Sequence, residues 1–283
     1  MNPWLERRVI SFAHQGGSFE GPSSTLFAIG QAVERGVSAI ELDVHATKDR
    51  HIVVCHDETV DRTTNSRGEI CNFTLSELRE MDNAYWWIEG DAVSPGQPEA
   101  AYRHRGLAPR DRAFGIATLE EVRTTFPDIL LNMDIKRTAP EVEPYEELLR
   151  DELRRLEAEH SVIVASFSDD AIQKFRYLAP EIATSAATNE TATFFFSVLE
   201  GNPIVPPALG LQVPANYDGV EVVTEQFVTE AHKSGLAVHV WTINEVDEMG
   251  RLLDLGVDGI ISDTPTPLVQ LLKERNCGWD GAL

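Results

Sequence analysis

Hydrophobic and polar positions along the 283 residues follow two rhythms. Short β-branched runs recur at 9–14, 39–44, 129–136, 161–167, 182–187, 209–214, 237–243 and 259–263. Between them, apolar residues return every three or four positions at 24–36, 118–126, 145–160, 224–235 and 245–256, and three of these stretches end on Gly36, Gly235 and Gly256. The second rhythm is that of an amphipathic helix, and a closing glycine supplies the left-handed residue that stops one. Strands alternating with helices predict a parallel sheet with crossover helices. Eight of them in a chain of this length predict a (β/α)8 TIM barrel, read as a single domain over 1–283. A doubly wound open sheet is the alternative that the pattern leaves.

One run breaks the alternation. Residues 52–57, "IVVCHD", follow the second strand after only "TKDR", too short for a parallel crossover. The segment is therefore expected to return antiparallel, as a hairpin that brings Cys55 and His56 level with Asp43. A second irregularity is 89–117, rich in Pro, Gly and charge, which predicts a long loop insertion at the barrel mouth.

Candidate chemistry follows from the barrel, whose active sites lie at the carboxyl ends of the strands. Those ends carry His14, Glu41 with Asp43, Asp134 with Lys136, and Trp241. Residues two apart on a strand share a face, so each i, i+2 pair points one way. Three carboxylates converging on one mouth repel one another unless a cation joins them, and all-oxygen donors call for a hard divalent ion, Mg2+ or Ca2+. Zinc fits less well, because no thiolate or HxH spacing accompanies the acids. His14 and His56 enter the same mouth and have the pKa range of a general base and a general acid. His45, His51, His104, His160, His232 and His239 take the default role of structural hydrogen-bonders.

Charge narrows the partners. Acids outnumber bases 46 to 24, a formal charge of -22, which excludes a nucleic-acid backbone and makes a phosphate ester acceptable only beside a cation. Three scattered cysteines form neither a disulfide framework nor a zinc site, and the N-terminal stretch has no apolar signal core. These features predict a cytoplasmic protein without a transmembrane segment, whose membrane contact is at most transient and at the surface.

The motifs "HQGG" (14–17), "ELDV" (41–44), "HDETVDRTTNSRGE" (56–69), "LNMDIK" (131–136), "ASF" (165–167), "VHVWTIN" (238–244) and "GVDGIISDTP" (256–265) resemble those of the glycerophosphodiester phosphodiesterase family over nearly the whole chain. The resemblance implies that Glu41, Asp43 and Asp134 bind a divalent metal, that His14 and His56 are the acid/base pair, and that Gln15, Lys136 and Trp241 meet the substrate. The implied reaction is phosphodiester hydrolysis, and the family includes a route in which the substrate's own hydroxyl attacks first to give a cyclic phosphate. Asp134 stands where many members carry Glu, which resembles a branch with lysophospholipase D-like members and implies a small phosphodiester or a lysophospholipid as substrate. The run 192–210, with Phe194, Phe195 and Phe196, is then a candidate apolar lip for an acyl chain.

Two departures qualify this. Gln15 replaces the usual Arg, and Ser23-Ser24 replace Glu-Asn, so a bidentate phosphate donor is lost and the loss of an acid at 23 reads as its compensating partner. Arg103 or Arg105 is a candidate substitute charge. The alternative reading is a catalytically weakened barrel that binds a phospholipid head group.

Overall fold

A computed structural model describes residues 2–6, 8–136 and 145–279. Its strands, in chain order, are β1 (Ile10–His14), β2 (Ala39–Ala46), β3 (Ile52–Val54), β4 (Leu130–Ile135), β5 (Val162–Ala165), β6 (Ala183–Thr184), β7 (Gly210–Pro214), β8 (Asn216–Tyr217), β9 (Val220–Glu221), β10 (Ala237–Trp241) and β11 (Gly259–Ser262). The helices are α1 (Leu26–Arg35), α2 (Leu75–Leu78), α3 (Leu119–Thr125), α4 (Tyr145–Arg155), α5 (Asp169–Leu178), α6 (Thr188–Leu199), α7 (Glu225–Lys233), α8 (Val246–Asp254) and α9 (Pro265–Arg275).

Parallel pairing runs β6-β5-β4-β2-β1-β11-β10-β7. The two ends of this path meet through a Ser185–Gly210 bridge, Ala186 N donating to Gly210 O at 2.8 Å and Leu209 N to Thr184 O at 2.9 Å. The sheet thus closes, and the chain is a (β/α)8 barrel. The expected hairpin is present: β3 returns antiparallel on β2 with Val54 opposite Val44, and Cys55 N donates to Asp43 O at 3.0 Å.

Alternation sorts each strand's residues between two cores. Ile40, Leu42 and Val44 of β2 and Leu131, Met133 and Ile135 of β4 point outward, into one apolar cluster with the buried face of α1. Their neighbours point into the barrel, where Ile10, Phe12, Ala39, Leu130, Ile163 and Ile261 pack with Trp4. Above that apolar floor, Asn132 and Gln212 exchange two amide hydrogen bonds, of 3.1 and 3.0 Å. The next inward positions along the strands lie at the mouth. His239 shares the floor, its ring 4.9 Å from that of Phe12, with neither ring nitrogen hydrogen-bonded. Its default role as a hydrogen-bonder is therefore wrong, and burial lowers its pKa to about 4, which keeps it a neutral packing element.

The 89–117 segment is a strap of short turns rather than an open loop. Arg105 clasps it: the guanidinium lies 3.5 Å over the Tyr102 ring and 4.3 Å over that of Tyr85, and bonds Glu99 at 2.6 Å and the Tyr85 carbonyl at 2.9 Å. Arg103 pairs outward with Glu89. Both arginines are thus committed to the strap, and neither supplies the charge missing at Gln15. The "TFFFSVL" run is the body of α6, where Phe194 and Phe195 pack against Phe227 of α7, 5.6 and 6.1 Å between centroids. That packing onto a neighbouring barrel helix replaces the expected acyl-chain lip for those two rings.

Candidate active site

Strand register assembles the site. β1 against β2 pairs His14 with Glu41, and β2 against β4 pairs Asp43 with Asp134. All four face inward, so the carboxyl ends of three adjacent strands deliver three carboxylates and an imidazole to one spot. The β2–β3 hairpin then brings His56 over the acids, its ring 6.4 Å from that of His14 and perpendicular to it.

After β1 the chain must turn sharply to leave room above His14. Gln15, Gly16 and Gly17 all adopt positive φ, 51°, 84° and 90°, a run that glycine tolerates and other residues rarely do. A β-carbon on Gly17 would also sit 2.9 Å from Pro265.

The acids are in electrostatic conflict. Burial and the Asp43 charge push the Glu41 carboxyl up to about 8, against the pull of His14. Burial raises Asp134 to about 7, with Lys136 opposing and Asp43 adding to the rise. The Lys136 ammonium, 2.6 Å from Asp43 Oδ1 and 3.2 Å from Asp134 Oδ2, offsets part of this. Burial works against its own charge, but the two carboxylates outweigh that and raise its pKa. Asp43 Oδ2 and Asp134 Oδ1 stay buried without a hydrogen-bond partner. Unpaired carboxylate oxygens in a dry, all-oxygen cluster are what a hard divalent ion satisfies, so the donor set fits one. No three ligating side chains among the described residues form a finished cage, and the Lys136 ammonium stands between Asp43 and Asp134.

Each imidazole has its own carboxylate. His14 Nδ1 lies 2.7 Å from Asp263 Oδ1, which also accepts from Ser18 Oγ at 2.6 Å, while Asp263 Oδ2 accepts from Asn244 Nδ2 at 2.9 Å. Burial disfavours charge on His14, but the Asp263 bond and the Glu41 charge prevail and raise its pKa to about 9. His56 Nδ1 lies 2.7 Å from Asp57 Oδ1, and Asp57 takes two bonds from Arg62, of 2.6 and 2.9 Å. In both pairs the carboxylate fixes the ring and leaves Nε2 toward the mouth. Sequence reasoning missed Asp263, although Gly259, Ile261 and Asp263 continue the i, i+2 rule that located Glu41 and Asp43. Nothing local marked Arg62.

Gln15 is buried beside His14. Ser23 Oγ donates to Gln15 Oε1 at 2.5 Å, which is the neutral pair read from the double departure, and Gln15 Nε2 stands 3.2 Å from His14 Nε2. An arginine at 15 without an acid at 23 would bury an unmatched charge. Gln15→Arg is expected to cost roughly 3 kcal/mol, a Tm loss of about 6 °C in thermal unfolding, and Gln15→Arg with Ser23→Glu to recover most of it. Trp241 ends β10 at the rim, its ring edge-on to that of the exposed Phe167, 5.7 Å between centroids.

The Glycerophosphoryl diester phosphodiesterase family model matches residues 14–266. The chain is 30% identical over 272 residues to the glycerophosphodiester phosphodiesterase of Caldanaerobacter subterraneus subsp. tengcongensis, covering 94% of this chain and 99% of that one. It is 30% identical over 268 residues to the glycerophosphodiester phosphodiesterase of Bacillus subtilis, covering 91% and 84%. Its fold is similar to that of the glycerophosphoryl diester phosphodiesterase domain of a Mycobacterium tuberculosis protein, with a TM-score of 0.76 at 21% identity, covering 93% and 98%. It is also similar to that of an Oleispira antarctica phosphodiesterase solved with its product sn-glycerol-3-phosphate, with a TM-score of 0.71 at 23% identity, covering 94% and 97%. With most of its length inside the matched model, the chain belongs to the glycerophosphoryl diester phosphodiesterase family.

Proposed function

We propose that this protein hydrolyses glycerophosphodiesters to glycerol 3-phosphate and an alcohol, with a divalent metal and two histidines, in one barrel domain over 1–283. The observation that supports this most is the pair of carboxylate-oriented imidazoles facing each other across three buried acids. Glu41, Asp43 and Asp134 would hold the ion, Mg2+ or Ca2+, which would neutralise charge on the phosphoryl oxygens and make an attacking hydroxyl more acidic.

The remaining steps belong to side chains. The diester lies between His14 and His56 with its phosphoryl oxygens toward Lys136 Nζ and Gln15 Nε2. One imidazole takes at Nε2 the proton of the attacking hydroxyl, and the other, protonated, gives its Nε2 proton to the leaving alkoxide; attack by the substrate's own hydroxyl leaves a cyclic phosphate, which water then opens to glycerol 3-phosphate with the two rings in exchanged roles. Asp263 and Asp57 hold Nδ1–H throughout, so neither ring can turn its proton away. The test is turnover of glycerophosphocholine, lysophosphatidylcholine and an aryl phosphodiester with Mg2+, Ca2+ or chelator. No turnover of any diester in any metal would leave the head-group-binding reading standing instead.

A specific observation favours a lysophospholipid as a second substrate. Exposed Phe167 on Trp241, with exposed Tyr217 and Val220 on the β8–β9 hairpin just beyond Pro214, makes the β5–β10 side of the rim apolar. Phe167→Ser is expected to lower kcat/KM for lysophosphatidylcholine about tenfold more than for glycerophosphocholine, the worth of one apolar contact. Equal losses on the two substrates would remove the lipid reading.

A further inference from the structure

The loop that follows His14 and the loop that carries His56 touch a common third element. The segment that leads into the strap, residues 82–87, lies across the loop that follows β1, with His14 and Gln15 at its root, and the loop that follows β3, which carries His56, Asp57 and Arg62. One buried side chain reaches both: Asn83 Nδ2 donates to the Ser23 carbonyl at 3.0 Å, and Asn83 Oδ1 accepts from Thr63 Oγ1 at 2.5 Å. The orientation of the amide is fixed chemically, since a carbonyl oxygen only accepts and the hydroxyl must then donate. Ser23 in turn holds Gln15, next to His14, and Thr63 follows Arg62, which holds Asp57 against His56. Two tryptophans of the same segment repeat the arrangement singly. Trp87 Nε1 donates to the Ser18 carbonyl at 2.9 Å and Trp86 Nε1 to the Thr64 carbonyl at 3.0 Å, one on each loop.

Resting on the acid/base reading above, we infer that Asn83 is a positioning residue that sets the separation of His14 and His56 by bonding the loop of each. The physical need is plain. One imidazole ends β1 and the other stands on the loop that follows β3, and the two must act on opposite sides of one phosphorus. A misplacement of about 1 Å at either ring costs on the order of a hundredfold in rate. The side-chain bonds of Asn83 go to Ser23 and Thr63 rather than to either ring, and its loss is felt through the spacing of the rings. A merely structural polar residue would show itself in stability or in the active fraction of the protein, with kcat per active site unchanged.

The test is steady-state kinetics of the metal-loaded full chain on glycerophosphocholine, with thermal unfolding of each variant. Asn83→Leu removes both bonds and is expected to lower kcat about thirtyfold while KM stays within about twofold. Thr63→Val removes one bond and is expected to lower kcat by about fivefold, whereas Thr63→Ser, which keeps the hydroxyl, restores it. Combined, Asn83→Leu and Thr63→Val should be no worse than Asn83→Leu alone, because they share one bond. A folded Asn83→Leu with kcat within twofold of the parent, a loss confined to KM, or losses that multiply would overturn the inference. If Asn83→Leu does not fold, the Thr63→Val and Thr63→Ser pair decides by the same criterion. Parallel His14→Ala and His56→Ala variants separate the layers. If either stays fully active, the acid/base reading fails and takes this inference with it; if both are dead and the Asn83 and Thr63 variants are normal, only the inference fails.

Discussion

His14→Ala and His56→Ala are each expected to lower kcat for glycerophosphocholine by about 10^3-fold, with KM changed little. In the proposed mechanism each ring carries a proton and is held by one carboxylate, and general acid or base catalysis contributes about 10^2- to 10^4-fold. The two losses should differ in kind. An aryl phosphodiester has a leaving group that departs without a proton, so the variant lacking the general acid should recover about a hundredfold on that substrate. The variant lacking the base should not. Rescue of both variants, or of neither, would contradict a division of labour between rings that stand 6.4 Å apart and perpendicular. Asp263→Asn adds a finer reading. It keeps an acceptor oxygen for His14 Nδ1 while setting an amide NH2 against the Asn244 Nδ2 donor, and it removes the charge that helps lift the imidazole to about 9. The limb of the pH–rate profile that reports His14 should then move to lower pH, which a purely steric role for Asp263 would not produce.

Much of this site was legible because strand geometry is simple. Glu41 with Asp43, and Asp134 with Lys136, betray themselves as charged i, i+2 pairs among apolar residues, and the structure turns both sets inward with Asp43 opposite Asp134. The short "TKDR" turn forced β3 to run antiparallel, and counting back from Asp49 placed His56 correctly. What escaped depends on contacts between distant segments. Asn83 looks like any loop asparagine until the segment leading into the strap is seen lying across two other loops. Arg105 is a candidate substitute charge in the sequence because composition cannot show three aromatic rings around it. The phenylalanine run was ambiguous for the same reason, since the spacing of Phe194 and Phe195 does not reveal that Phe227 waits on the next helix. Periodicity reports which face is buried, not what buries it.

The acids carry a second large expectation, one that reads ion binding without turnover. In the ion-free protein the Glu41 and Asp134 carboxyls sit at about 8 and about 7, so both are partly protonated at neutral pH, chiefly because burial penalises their charge. A divalent ion binds the ionised forms, and must displace those protons. Apparent affinity for Mg2+ or Ca2+ should therefore rise steeply from pH 6 to pH 8, and calorimetry in buffers of different ionisation enthalpy should show proton release at pH 7. Stability gives the same sign. A carboxyl whose folded pKa exceeds its unfolded value near 4 favours folding most below that unfolded value, and this contribution is lost as pH rises through 7 and 8. The ion-free protein should accordingly lose stability between pH 6 and pH 8, and the rise in Tm on adding the ion should be largest at pH 8. Asp43→Asn should remove both the affinity and the Tm rise, since Asp43 supplies an unpartnered oxygen and anchors Lys136 between the acids. An affinity independent of pH over this range would mean that the acids are already ionised and paired, with Lys136 a permanent counter-ion rather than the occupant that an incoming ion displaces.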